Sequence, residues 1–507
     1  MSSVAVPPVS AALPPVSGAL PDPLPVIAKR NYISGRTMMF MIVAVVCSLR
    51  AAPTMAVYGL GSIILYAVPA IVFLIPQALV SAELASAWPG GVYRWVTEAY
   101  GPKLGLLAIW CQYAMTIFYY PAMLAYVAST FAYVINPNLA SSGLFTAIVI
   151  VTVYWLAVVV SGRGMKAVSG RSSAGAIIGT LLPGVVLVGM GAAYLIGGHA
   201  SAAPLHVHNL LPAWAGIASL VLIVNNFLSY SGMEMNAVHV SELKDPKREF
   251  PKAMIASISI IMLVFILPAL AGSFIVPASD VSLTAGVMQA FTSFFGYFGV
   301  SFLVSPVAIL IILAMLGGML AWLAGPSTGL LLIGREQGFI PPYFQKLNKR
   351  GMQMNIMIWQ GVVTSIIACL YAFIPAVSNA YWIFEVMTTQ IYLIVYLLMF
   401  MAAVKLRTDQ PERPRGYLTP ALKWLCGMGF ASTIGAFVIG FVPPSQFHSG
   451  GTLVYILLVA GGVGIMGPGV PMLLDRYKKP HWKTTASSTG TDVRVATTIA
   501  ATGTGEV

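Results

Sequence analysis

The sequence predicts an all-α membrane protein of about twelve transmembrane helices, and three observations predict it. Of 507 residues, 58% are apolar and only 8% are charged. A soluble globular chain carries about a quarter charged residues, so too few ionic groups are present here to cover a soluble surface. Second, the charges are clustered. No Asp, Glu, Lys or Arg occurs in the 59 residues between Lys103 and Arg163, the 62 between Arg171 and Glu234, the 54 between Asp280 and Arg335, or the 51 between Lys423 and Asp475. One crossing of the hydrocarbon core takes about 20 apolar residues, so most of these stretches hold two crossings joined by a short outer turn. Third, basic residues recur in every second loop.

Taken in order, the predicted spans are 38–59, 62–87, 104–133, 143–161, 173–196, 212–238, 253–275, 301–329, 355–373, 380–404, 421–441 and 453–474. Asn136-Pro137-Asn138 and Gly197-Gly198 mark outer turns through their preference for non-helical dihedrals. The segment 276–300 starts too polar for a thirteenth span and is expected to form helical pieces over the extracellular entrance. Basic residues fall at Lys29 to Arg36, Arg94 and Lys103, Arg163 to Arg171, Lys244 to Lys252, Arg335 to Arg350, Lys405 to Lys423 and after Asp475. Positive charge is retained on the cytoplasmic side, which places both termini inside a multi-pass protein of the cell (inner) membrane. The net charge of +12 therefore serves topology within a lipid bilayer and does not point to nucleic acid. Of the 27 Lys and Arg, only Arg50 falls outside the scheme.

The first 25 residues contain seven prolines and no Lys or Arg. They lack the basic start and apolar core of a signal peptide. Residues 1–35 are expected to form a disordered cytoplasmic arm and residues 476–507 a disordered cytoplasmic tail. Cys47, Cys111, Cys369 and Cys426 are widely spaced within spans and read as small apolar side chains. The sequence shows no metal-ligand spacing and no cofactor motif. It also lacks a P-loop, an H-E-x-x-H and a G-x-S-x-G, so nothing supports an ATP-driven pump or any other enzyme.

Two spans are irregular. Span 1 meets Ser48-Leu49-Arg50-Ala51-Ala52-Pro53 near its middle, where Pro53 removes a backbone donor and disfavours helix before it. Span 6 carries Ser229-Tyr230-Ser231-Gly232-Met233-Glu234 at a similar depth. Either interruption alone reads as a kink. An offset of five is odd, so the two broken spans start from opposite sides. Spans 1–5 and 6–10 then read as inverted repeats whose breaks face each other at the midplane, where unwound backbone and half-helix ends bind solutes. Backbone freed from helical bonding is tolerated at that depth only against protein or a watery cavity.

A charge at bilayer depth costs roughly 2.5 to 3.5 kcal/mol on insertion scales, so each buried one needs an account. Arg50 either binds a substrate carboxylate or pairs with an acid of another span, Glu234 or Glu385. Glu234 is a candidate for proton coupling or for holding a gate, or else a satisfied structural carboxylate. Glu83 lies near the inner end of span 2, where a charged head reaches the interface at little cost, and reads as structural. Trp322, Tyr392 and Tyr396 read as packing on pattern alone; the tyrosines, four apart, share a helix face. Gly175 and Gly179 allow close helix approach. His206 and His208 read as loop residues.

Several segments resemble the amino acid–polyamine–organocation superfamily, and most closely its glutamate/γ-aminobutyrate antiporter-like branch. They are Arg50-Ala51-Ala52-Pro53-Thr54, Ile75-Pro76 to Ala82-Glu83, and Gly90-Gly91-Val92-Tyr93-Arg94-Trp95-Val96. Further along they are Leu228 to Glu234 with His239-Val240-Ser241-Glu242, Asp245-Pro246 to Pro251, Ala285-Gly286-Val287-Met288-Gln289, Trp322 with Gly325-Pro326-Ser327, and Asn348-Lys349-Arg350-Gly351. The resemblance covers residues 35–475. It implies a five-plus-five inverted repeat in residues 36–404, followed by two extra helices in 405–475, and exchange of one amino acid for a related amino acid or amine. It implies that Ser48, Leu49, Arg50, Ala51 and Ala52 together with Tyr230, Ser231, Gly232, Met233 and Glu234 hold the substrate's charged ends. It also implies that Trp322, Tyr392 and Tyr396 line and gate the cavity, which overrides the packing reading. Three departures stand out: Arg50 replaces a family Tyr, Gly318 replaces a family Glu, and the tail is shorter than the plug of acid-resistance members.

The expected function is thus alternating-access exchange of amino acids, with a small-molecule substrate and counter-substrate as partners. A zwitterionic or acidic substrate is favoured over a dicationic one. Proton- or sodium-coupled uptake through Glu234 is the alternative, and a non-transporting amino acid sensor is a remote one. No ring of repeated acidic or carbonyl motifs suggests a channel. The sequence carries no signature of an oligomeric state.

Overall fold

Serine and proline decide where span 1 stops being a helix. In the computed structural model, which describes residues 33–483 except 165–171, 238–239, 241–242, 375 and 447–450, α1 (Gly35–Val46) is capped by Ser34, whose side chain accepts from Thr37 N. At Cys47 and Ser48 the chain becomes extended, and the Ser48 hydroxyl caps the next turn by accepting from Arg50 N at 3.2 Å. A 3-10 turn over Leu49–Ala51 leads into α2 (Ala52–Ala56), with Pro at its start. The two halves of span 1 are bent by 41°. Of the predicted arm (1–35) residues 1–32, and of the predicted tail (476–507) residues 484–507, lie outside the described residues.

Span 2 comprises α3 (Ser62–Pro69), a π turn over Ala70–Leu74 and α4 (Ile75–Ala87). The short α5 (Gly91–Tyr100) leads into α6 (Pro102–Ile135), α7 (Gly143–Ser161) and α8 (Ser172–Ile196). Span 6 reduces to 3-10 turns followed by α9 (Val224–Ser229) and α10 (Met233–Ala237). Gly232 sits between them at φ +103°, a backbone conformation that L side chains rarely adopt. There follow α11 (Pro246–Ile275), α12 (Gly286–Tyr297), α13 (Val304–Gln337), α14 (Met354–Phe373), α15 (Val377–Asp409), α16 (Leu422–Ile439), α17 (Thr452–Gly464) and α18 (Val470–Tyr477).

Among the described residues ten helices are long and apolar enough to cross a membrane, and the bent pair in span 1 makes eleven. The remaining predicted span, 212–238, is cut into pieces too short to cross alone. Its polar content explains this: Asn225, Asn226, Ser229 and Ser231 occupy a segment that would otherwise be apolar, and Gly232 ends helical propagation. The segment 276–300 holds no thirteenth span. Its 12-residue α12 packs onto α2, where a side chain at Gly286 would meet Pro53 Cβ at 2.8 Å.

The core is built around α6 and α15, whose most apolar stretches are 78% and 83% buried. The corresponding shares for α16 and for Thr452–Tyr477 are 28% and 22%, so these last spans lie at the periphery. Predicted inner segments meet on one face: Lys103 pairs with Asp475 at 2.9 Å, Gln345 donates to Trp482 O at 2.9 Å, and Asn348 donates to Gly162 O at 3.0 Å. Predicted outer segments meet on another, where Ala202 N donates to Phe274 O at 2.8 Å and Ser445 N to Ala218 O at 3.0 Å.

Candidate functional site

The two breaks line one small cavity. Span 1 contributes Val45, Val46, Ser48, Arg50 and Ala51; span 6 contributes Leu228, Ser229 and Ser231. Met115 and Tyr119 of α6, Phe265 of α11, Trp322 of α13 and Tyr392 of α15 complete the wall. Interrupting both helices at this depth frees backbone donors and acceptors. The structure re-satisfies some with side chains: Tyr66 donates its hydroxyl to Ala51 O at 3.3 Å, and Ser231 donates to Phe227 O at 2.7 Å.

Arg50 is the only charged residue among the described residues of the wall. It is 7% exposed, and Glu385 of α15 is 1% exposed. Nη1 of Arg50 donates to Glu385 Oε2 at 2.6 Å, to Oε1 at 2.8 Å and to the Tyr381 hydroxyl at 3.4 Å. The guanidinium lies 5.1 Å from the centre of the Tyr119 ring, a favourable cation–π distance. Among the described residues all its side-chain hydrogen bonds leave from Nη1, and none engages Nε or Nη2. Of the two acids proposed for Arg50, the packing selects Glu385.

Glu234 stands outside the cavity wall and is 2% exposed. Tyr392 donates its hydroxyl to Glu234 Oε1, and Tyr396 donates to Oε2 at 2.7 Å. Gly232 N donates to the same Oε2 at 3.2 Å and to the Tyr396 hydroxyl at 2.9 Å. The carboxylate therefore staples the span 6 break to α15. Trp322 packs at the corner, 5.9 Å from the Tyr119 ring and 6.3 Å from the Tyr392 ring. A Cβ on Gly232 would lie 3.3 Å from Val45 and 3.4 Å from Trp322.

Of the residues singled out by sequence, Ser48, Arg50, Ala51, Ser231, Trp322 and Tyr392 line the cavity. Leu49, Ala52, Tyr230, Gly232, Met233, Glu234 and Tyr396 lie behind the wall. Tyr230 faces span 2 and α11, donating to Tyr66 O at 2.9 Å and to Met262 Sδ at 3.4 Å. Sequence reasoning did not select Met115, Tyr119 or Phe265. Tyr119-Tyr120-Pro121 in a buried span was the available signal, but an aromatic there looks like packing until its neighbours are known.

Glu83 is 3% exposed and does not reach the interface. Instead Arg407 donates through Nε to its Oε1 at 2.8 Å and through Nη2 to Oε2, and Thr419 N donates to Oε2 at 2.8 Å. The structural reading of Glu83 holds, with ion pairing in place of snorkelling. Gly179 packs against Leu310 O and Ala314 Cβ, each 2.6 Å from a built Cβ; the surroundings of Gly175 lie outside the described side chains. A Cβ on Gly318 meets nothing within 4 Å. His206 and His208 are exposed and stack on each other at 5.5 Å. Among the described residues no group of three or more His, Cys, Asp or Glu converges to hold a metal ion.

Comparison with known proteins follows the same pattern. An uncharacterized transporter of Legionella pneumophila is 35% identical over 451 residues, covering 88% of this chain and 96% of that protein. A glutamate/gamma-aminobutyrate antiporter of Lactococcus lactis is 28% identical over 424 residues, 80% of this chain and 84% of its own length. A branched-chain amino acid permease of the same species is 26% identical over 388 residues, 71% and 78% of the two chains. Residues 33–464 match the amino acid permease family. With a multi-pass helical fold and a cavity between two interrupted spans, the chain belongs to that family.

Proposed function

We propose that this protein is an amino acid antiporter of the cell (inner) membrane, with both termini cytoplasmic, working by alternating access. It exchanges a zwitterionic or acidic amino acid for a related amino acid or amine. One observation carries this reading: the two broken spans share a cavity whose single charged wall residue, Arg50, keeps guanidinium donors free. A planar guanidinium is suited to a substrate carboxylate, and half-helix ends suit the opposite charges of an amino acid's head. The named exchange of the Lactococcus lactis antiporter, and the named substrates of the permease from that species, support an amino acid as cargo. In this reading residues 36–404 form the inverted-repeat transport core, and spans 1, 2, 6 and 7 rock against the rest. Spans 11 and 12, in 405–475, sit outside that core.

Within the site, Ser48, Leu49, Arg50, Ala51 and Ala52 with Tyr230, Ser231, Gly232, Met233 and Glu234 form the two binding segments. Trp322 and Tyr392 close the cavity, and Tyr396 holds Tyr392's shared carboxylate. The test is counterflow: proteoliposomes preloaded with each common amino acid or its decarboxylation product are offered the labelled compound. Accumulation with at least one of them is expected; none across the panel sinks the reading. Glu234 favours a second reading, proton-coupled uptake, because its carboxylate hydrogen-bonds a cavity-wall tyrosine. Uptake into empty vesicles driven by an imposed proton gradient, lost in Glu234→Gln, would replace exchange with uptake.

A further inference from the structure

The Arg50–Glu385 pair is buried, only its Arg50 lines the cavity, and the exchange reading gives Glu385 no role. We propose that it sets the charge class of the solute: the cavity takes amino acids of net charge zero and rejects those with an extra carboxylate or an extra ammonium. This rests on the exchange reading above and narrows it. Glu385 neutralises Arg50 before any solute arrives, since both its oxygens lie within 2.8 Å of Nη1. Tyr381 and the Tyr119 ring hold the guanidinium in that position. An uncompensated charge in such surroundings is strongly disfavoured, whereas a balanced one is tolerated. A zwitterion brings one charge of each sign, and the free Nε and Nη2 donors orient its carboxylate without disturbing the pair. A second carboxylate on the side chain would find its only cation already engaged. An extra ammonium would find no free acid in the wall, and Gly318 supplies none.

Glu234 does not alter this balance between variants. It lies behind Tyr392, where two hydroxyls and one backbone N–H occupy its oxygens, and it is the same in every variant compared below. Glu385 is accordingly a positioning residue that acts through Arg50. A merely structural role would change stability and overall flux, but not the ranking of solutes by charge.

The experiment is counterflow by the full-length chain in proteoliposomes, with labelled neutral amino acids, aspartate and glutamate, and arginine and putrescine. Wild type is expected to rank the neutral group first. Glu385→Gln is expected to raise the dicarboxylic-to-neutral ratio by about tenfold or more, because it leaves a free cation. Arg50→Gln is expected to shift the ranking toward cationic solutes. The double variant Arg50→Met with Glu385→Met carries less flux but returns the ranking to the neutral group. Wild type that prefers glutamate overturns the proposal, as does a Glu385→Gln ranking equal to wild type. If Glu385→Gln is not recovered as a monodisperse protein, the wild-type ranking and Arg50→Gln decide. Exchange of nothing by wild type would instead sink the exchange reading itself.

Discussion

The Tyr396 hydroxyl donates to Glu234 Oε2 at 2.7 Å and bridges the break in span 6 to the most enclosed helix of the bundle. The same hydroxyl accepts from Gly232 N at 2.9 Å, so one phenol serves both a carboxylate and a freed backbone donor. Replacing it by Phe leaves both without that partner. Tyr396→Phe is expected to lower stability by roughly 1–3 kcal/mol, the range for an unsatisfied buried polar group. A thermal unfolding midpoint unchanged from wild type would contradict this staple.

Gly232→Ala tests the geometry of the same break. The residue sits at φ +103°, and a Cβ there would press within 3.3 Å of Val45 and 3.4 Å of Trp322. Strain of about 1–3 kcal/mol is expected, together with slower counterflow, because the methyl pushes on a cavity-wall indole. Equal rates in proteoliposomes of matched protein content would show that the break tolerates a side chain.

Glu83 makes a separate prediction far from the cavity. Its carboxylate is shared by Arg407, the backbone N–H of Thr419 and, at 3.4 Å, Arg415 Nε. Glu83→Gln removes the only carboxylate from this cluster. A loss of roughly 3 kcal/mol is expected, at the low end for a broken buried pair because Arg407 is partly exposed and can rehydrate. The unfolding midpoint in detergent reads this directly, and an unchanged value would make the pair inert.

Topology has its own test. In a protein whose four cysteines are replaced by alanine, a single cysteine at His208 is expected to react with a membrane-impermeant maleimide added to intact cells. One at Lys346 is expected to react only after permeabilisation. The reverse pattern would invert the orientation assigned from the basic loops.

Much of the architecture was legible because insertion into lipid is a local property. Charge-free stretches between Lys103 and Arg163, or between Lys423 and Asp475, need only be counted to place hairpins. The break in span 1 was legible too, since Ser48 and Pro53 act on their own backbone. Span 6 was legible only in part. Its polar residues announced an interruption, but the extent to which the outer half unwinds into 3-10 turns depends on what Asn225 and Asn226 meet: Asn226 Nδ2 donates to Leu65 O at 2.8 Å, from another span.

The sequence by itself determined that this chain crosses a membrane many times and where two helices break, because hydropathy and proline act over a few neighbouring residues. Only the tertiary structure decided that Arg50 pairs with Glu385, 335 positions away, while Glu234 turns to Tyr392 and Tyr396. Both acids were available to the same cation. Which one met it was settled by how α15 packs against the two breaks, and no local rule carries that information.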